Sequence, residues 1–184
     1  MGDLVRVLLG DAMSHVMSRR GKSPVLADRG VRLVSAINVK KGRIQNLDAR
    51  FVPDHLYDSW MPEKLRPGDV LLTSEAPLGE VAYISDAEPL CIGQRLFALR
   101  GRPDLVHGRF LYYLLLGGPP QEEIQSRATG TTVGGIRLSE LLKVSLELPS
   151  LSEQRAIAEV LGALDDKIES NRRLAVLMDA LVLR

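Results

Sequence analysis

The stretch Leu148–Arg184, LPSLSEQRAIAEVLGALDDKIESNRRLAVLMDALVLR, decides how this chain is read. Pro149 stops whatever precedes it. Ser150-x-x-Glu153 has the spacing of a capping box, in which a serine hydroxyl and a glutamate carboxylate satisfy N–H groups of a helix's first turn. Glu153 also puts negative charge at the positive end of the helix dipole. Beyond the cap there is no proline and one glycine, Gly162. Ile157, Leu161, Leu164, Ile168, Asn171, Ala175, Met178 and Val182 advance in alternating steps of four and three, a heptad seam with one polar position at Asn171. At about 1.5 Å per residue the helix reaches about 50 Å, more than a domain of this size needs for its own core. The seam predicts a spacer and dimerisation arm. The alternative is a terminal helix lying along its own domain.

Composition bounds the remainder. A chain of 184 residues, 45% hydrophobic and 26% charged, suits one globular domain with an appendage. A single cysteine, Cys91, excludes an internal disulfide framework and a multi-cysteine zinc site, and its Leu90-Cys91-Ile92 context marks it as a small core residue. With no signal-peptide pattern and no apolar run of membrane-spanning length, a cytoplasmic protein without membrane partners is expected. The net charge of +1 hides a local imbalance: Arg19, Arg20, Lys22, Arg29, Arg32, Lys40, Lys41 and Arg43 face one acid, Asp28, across residues 19–43. A one-sided basic stretch is the footprint of a polyanion partner; the alternative is a solvated face balanced by acids nearby in space.

Short apolar runs separated by turn residues alternate irregularly with helical segments. Strands are expected at Leu4–Leu9, Val31–Val34, Asp69–Thr73, Glu80–Ile84, Gln94–Arg100 and Val144–Leu148. Helical segments are expected at Asp58–Leu65, Phe110–Leu116, Pro120–Ser126 and Leu138–Leu142, and loops at Arg19–Pro24, Lys40–Arg43 and Ala128–Gly135. Strict βαβ alternation is lacking, so the fold class is α+β: a mixed α/β domain over residues 1–148, then the long helix over 149–184.

Familiar catalytic patterns fail. The glycine-rich loop at 130–135 lacks the Lys-Ser/Thr ending of a phosphate-binding loop. His15, His55 and His107 have no metal-ligand spacing, so neither metal nor cofactor is expected. Asp54-His55 has no serine elbow to make it a hydrolytic triad. Recognition chemistry remains. Lys and Arg neutralise phosphates, Arg reads guanine through two parallel bonds, and Gln reads adenine. The candidates are Arg20, Lys22 and Ser23 in the first basic turn and Lys40, Lys41 and Arg43 in the second. Gln94 and Arg95 are candidate base readers, and Arg127, Thr129, Thr131, Thr132 and Arg137 frame the threonine-glycine loop.

These residues resemble a known family. Leu148-Pro149-Ser150-Leu151-Ser152-Glu153-Gln154-Arg155-Ala156-Ile157-Ala158, followed by Leu161 and Leu164-Asp165-Asp166-Lys167-Ile168, is similar to the conserved region of the specificity subunit of type I restriction-modification systems. Gly21–Pro24, Gly68–Thr73 with Gly79–Ala82, and Ala128–Thr132 resemble stretches of that family's target recognition domain. The resemblance implies a non-catalytic subunit that reads double-stranded DNA. Its long helices pair as an antiparallel coiled coil, set the half-site spacing and dock the modification (methyltransferase) and restriction subunits. With one recognition domain and one helix, this chain looks like half a subunit, either a natural half-length protein or a fragment. It is expected to form a homodimer or to pair with another specificity helix. The competing expectation is an interaction scaffold that docks through the helix and never reads DNA. A small hydrolase built on Asp54-His55 is a third.

Overall fold

The computed structural model describes residues 3–130 and 134–182, with side chains of the last helix through Met178. In chain order the elements are β1 (Val5–Leu8), α1 (Leu9–Ala12), β2 (Met13–Ser18), β3 (Val31–Val34), β4 (Val39–Lys40), β5 (Arg43–Ile44), β6 (Arg50–Val52), α2 (Tyr57–Trp60), β7 (Val70–Thr73), β8 (Val81–Tyr83), β9 (Leu90–Ile92), β10 (Leu96–Gly101), α3 (Gly108–Leu115), α4 (Gly118–Ser126), α5 (Leu138–Leu141), β11 (Ser145–Leu148) and α6 (Leu151–Val182). Single 3-10 turns at Ala36–Asn38 and Asp54–Leu56 complete it. It is the expected mixed fold with a long final helix.

The central sheet has the order β2-β10-β7-β8, antiparallel throughout. Successive strand residues point to opposite faces, and here both faces are covered. Val70, Leu72, Val81, Phe97 and Leu99 turn to a core shared with α3, α4, α5 and β11. Leu71, Ala82, Leu96 and Ala98 turn to a second core, closed by the sheet β6-β3-β9 through Leu33, Val34, Val52, Cys91 and Ile92. Burial on both sides explains why β7 reads VLLT without a polar alternation. A register shift between Arg100 and Gly101 re-aims the start of β2, so Met13 faces the helical core and Met17 the other.

The structure differs from sequence expectation in several elements. The strand expected at Leu4–Leu9 is β1, but the chain then makes one helical turn and enters an unexpected strand, β2, whose Ser14, His15 and Ser18 hid it from a hydrophobic pattern. Gly10 permits this turn, since a Cβ there would lie 3.2 Å from the Leu142 carbonyl oxygen. β6 and β9 are three residues each, too short for periodicity, and form only because β3 pairs with both. The helical turn expected at Asp58–Leu65 comes earlier, at residues 54–60.

The capping box forms as spaced. The Ser150 N–H donates to Glu153 Oε2 (3.1 Å) and the Glu153 N–H to Ser150 Oγ (3.3 Å). One residue on, Gln154 is 1% exposed. Its Oε1 accepts the His107 N–H (2.9 Å), and its Nε2 donates to the carbonyls of Leu105 (3.0 Å) and Pro149 (2.9 Å). Replacing it by an apolar residue of similar size leaves those groups without partners. Gln154→Leu is therefore expected to cost on the order of 2–4 kcal/mol in urea unfolding, since an unmet buried polar group costs roughly 1–3 kcal/mol. A loss under about 0.5 kcal/mol, the ordinary surface range, would contradict this role.

Candidate functional site

Four loops far apart in sequence meet at one end of the central sheet. The Ser74 N–H donates to the Arg95 carbonyl (2.9 Å), and the Ile136 N–H to the Ser74 carbonyl (2.9 Å). Arg20 reaches across from the first basic turn, its Nη1 donating to the Ile136 carbonyl (3.2 Å). Thr129 and Gly135 exchange backbone bonds at 2.8 and 3.0 Å, and Glu75 bridges Gly135. Beside this junction is a cleft of about 390 Å³ whose lining includes Ser23, Leu26, Ile37, Arg50, Gln94 and Arg95. Arg20, Lys22, Ser23, Gln94, Arg95, Thr129 and Arg137 are all exposed. Thr131 and Thr132 lie outside the described residues.

Two expected members are elsewhere. Arg127 is turned inward: its Nε and Nη2 donate to Glu123 Oε1 (2.9 and 2.7 Å) and its Nη1 to Glu140 Oε2 (3.2 Å). Burial alone would raise the Glu123 carboxyl's pKa, but bonds from the Ser145 N–H and Arg127 bring it below the ordinary value. Arg127 thus ties α4 to α5; its i,i+4 spacing from Glu123 was the sequence signal for that pairing, while Glu140 could not be read from sequence. The second basic turn is not part of the loop junction either. Lys41 and Gly42, both at positive φ, close the β4–β5 hairpin. A Cβ on Gly42 would lie 2.6 Å from the Tyr112 hydroxyl, which donates to the Gly42 carbonyl (2.9 Å). Arg43 pairs with Glu169 of α6 (2.8 Å), and the Lys41 N–H donates to Glu80 Oε2 (2.8 Å), while the Lys40 and Lys41 side chains are exposed.

This places the second turn against the middle of α6, where a polar clasp forms. The Tyr113 hydroxyl donates to Asp165 (2.8 Å), and burial, reinforced by that carboxylate, pushes its pKa up to about 12, so it remains a donor. Arg109 Nη2 donates to Asp166 (3.0 Å) and to the Gly162 carbonyl (3.3 Å). Gln154, Ala158 and Gly162 form the face turned to the domain. The seam does not join it: Ile157 (40%), Leu164 (56%), Ile168 (45%) and Met178 (58%) are exposed, as are Asn171 and Ala175, with Leu161 half-buried. The side chain of Val182 lies outside the described residues. The reading in which α6 merely lies along its own domain therefore holds for one face only.

Sequence reasoning missed Glu75 at the loop junction and the apolar side chains Val25, Leu26 and Ile37, exposed near the cleft. Isolated apolar residues in a loop and a lone acid between two strands carry no pattern. Asp54 and His55 are exposed in the turn before α2. Among the described residues, no helix is long and apolar enough to cross a membrane.

A junction of exposed loops and a long helix with one apolar side left exposed are thus carried on one frame. Residues 63–177 match a family model, and the chain belongs to the type I restriction modification DNA specificity domain family. It is 28% identical over 151 residues to the type I restriction enzyme MjaVIII specificity subunit of Methanocaldococcus jannaschii, covering 79% of this chain and 36% of that protein. It is 25% identical over 150 residues to the EcoKI specificity subunit of Escherichia coli K12, covering 80% and 32%. The fold is similar to the S subunit from M. genitalium (TM-score 0.65, 19% identity, covering 92% of this chain and 41% of that one) and to the HsdS subunit from Thermoanaerobacter tengcongensis (0.63, 19%, 93% and 44%). The chain thus spans less than half the length of each of these relatives.

The clasp has a checkable consequence. A Cβ on Gly162 would lie 2.6 Å from Arg109 Cζ, so Gly162→Ala displaces the guanidinium, while helix propensity improves by about 1 kcal/mol. Stability is expected to stay within about 1 kcal/mol of the parent. The distance distribution between spin labels at Val25 and Leu174, both exposed, is expected to broaden. Cys91 does not compete for label, because it is buried and burial pushes its thiol up to about 11. An unchanged, narrow distribution counts against the clasp.

Proposed function

We propose that this chain is a DNA sequence-recognition module of a type I restriction-modification system: residues 1–148 read one half-site, and the arm at 149–184 sets spacing and docks partners. The observation that carries this is the convergence of four distant loops on one exposed, arginine-bearing junction in a chain of the DNA specificity family. Lys22, Arg137 and Arg20 meet phosphates, with Ser23 and Thr129 as hydroxyl donors; Gln94 and Arg95 face base edges. Leu26 and Ile37 offer apolar contact to thymine methyl groups. Arg127 and Arg43 are left out of this set because they tie α4 to α5 and β5 to α6, away from the exposed loop junction. Chemistry on the DNA belongs to the modification and restriction subunits, and the chain itself is non-catalytic.

The exposed seam supports pairing of α6 with a second copy or another specificity helix. Charge favours the antiparallel arrangement. Residues 151–166 carry four acids and one base, and residues 167–184 four bases and two acids, so antiparallel pairing sets unlike halves side by side. A two-fold pair then presents two recognition domains to inverted half-sites. The same seam serves a scaffold that docks by its helix without reading DNA.

Selection from random duplexes separates the readings. The module is expected to enrich one bipartite sequence, with binding that falls steeply as salt rises. A scaffold enriches none. One heptad inserted into the arm adds about 10 Å. It is expected to lengthen the preferred spacer by about three base pairs at roughly 3.4 Å each and leave the half-site sequence unchanged. An unchanged spacer would defeat the ruler.

A further inference from the structure

The loop junction carries an acid where a DNA surface should be basic. Glu75 sits between two of the arginines assigned to the reading surface. Its Oε1 lies 2.9 Å from Arg95 Nε, and its Oε2 lies 4.0 Å from Arg20 Nη2. Both ends of the closer pair are fixed by backbone: the Ser74 N–H binds the Arg95 carbonyl, and Glu75 bridges Gly135 on its other side. Gly135 eases that approach, since a Cβ there would lie 3.1 Å from Glu75 Cβ and 3.2 Å from Glu75 Oε2. The backbone that carries the carboxylate is thus fixed by structure from three loops.

A carboxylate on this face repels phosphate, so its presence calls for a compensating contribution. The way it meets Arg95 supplies one. Arginine is long and loses much rotamer freedom when it binds. Glu75 Oε1 comes nearest Arg95 at Nε, as an ion pair, and among the described residues the Arg95 guanidinium makes no hydrogen bond. Its terminal nitrogens form the fork that matches the two acceptors of guanine in the major groove. A carboxylate drawn up on the Nε side favours orientations that turn that fork outward before DNA arrives.

We infer that Glu75 is a positioning residue that orients Arg95 for guanine readout, with Arg20 as its second, looser partner. This rests on the DNA-reading function proposed above. Glu75 makes no base contact in this role. Its effect is therefore confined to the base pair that Arg95 reads, and non-specific binding is not weakened by its loss.

The test is selection from randomised duplexes, with thermal melting in parallel, for the full chain and the variants Glu75→Gln, Glu75→Asp, Arg95→Ala and Glu75→Gln/Arg95→Ala. Arg95→Ala is expected to abolish the preference at one guanine. Glu75→Gln is expected to reduce preference at that same position by about tenfold, within the range a bidentate base contact supplies. Affinity for random duplex is expected to hold or rise, because a negative charge has left the surface. The double variant is expected to match Arg95→Ala alone, since residues acting through one contact are not additive. Glu75→Asp keeps the charge but withdraws the carboxylate from Nε, and is expected to lose preference at the same guanine. It also carries the test if Glu75→Gln melts early.

Three outcomes overturn the inference. One is an unchanged selected sequence in folded Glu75→Gln and Glu75→Asp proteins. Another is loss of preference at a different base pair, additive with Arg95→Ala, which would make Glu75 a direct reader of cytosine. The third is a parent chain that selects no sequence, which removes the DNA reading and this inference together; in the first two the parent's selected sequence stands and only the inference falls.

Discussion

The arrangement of this molecule depends on Gln154. A helix far longer than the surface it rests on must be held by its first turns, and apolar packing alone would let it rotate about its axis. Gln154 prevents that. Its amide is buried and bonded at both ends, to the backbone entering α3 and to Pro149 at its own cap. A buried amide accepts few orientations in which both of its ends are satisfied, so the polar contact specifies the docking angle while Ala158 and Gly162 allow close approach. The Glu-Gln pair by which the sequence resembles its family thereby divides into two tasks: Glu153 caps the helix and Gln154 sets it.

From that root the constraint passes through α3 into the central sheet. Phe110, Leu111 and Leu115 of α3 share a core with Val70, Leu72, Phe97 and Leu99. The same strands turn Leu71, Leu96 and Ala98 into the second core. A sheet packed on both faces has little freedom to shear, because interiors are dense and every displaced methyl is felt on two sides. The chain segments that leave its strands at 74–79 and enter them at 93–95 inherit that rigidity. A substitution at their tips then alters the exposed face without disturbing the frame that holds it.

How much of this was legible follows from the range of each interaction. The helix start, the strands around Val70, Val81 and Leu96 and the helix around Phe110 are local patterns, and each is found where the pattern lay. The family was legible because Glu153, Gln154 and the Leu164-Asp165 stretch combine into a specific local motif. What was not legible depends on distant partners. β6 and β9 exist as strands because β3 lies between them, and β2 carries Ser14, His15 and Ser18 out of any alternation while still pairing with β10. The basic cluster at 19–43 reads as one surface in sequence. In space Arg20 goes to the loop junction, Arg32 donates to the Gln45 carbonyl, and Arg43 goes to the arm. Charge along the chain states how many cations there are, not which acid each will find.

The arm shows the same division on a single element. Gly162 is an unfavourable residue inside a helix, by about 1 kcal/mol relative to alanine, and nothing in the heptad pattern asks for it. It lies on the domain-facing side, where Arg109 lies against the bare backbone and reaches both the Gly162 carbonyl and Asp166. The seam residues Ile157, Leu164 and Ile168 are left free on another face. A continuous apolar ring around α6 would bind the domain and a partner helix interchangeably, and the chain would have no fixed register with either. Small and polar residues on one face and aliphatic residues on the other separate the two contacts by chemistry. The domain is met by polar geometry, which fixes an angle, and the exposed apolar residues take no part in that contact. A helix held in this way keeps one direction relative to the sheet, because its joint to the domain is stiff.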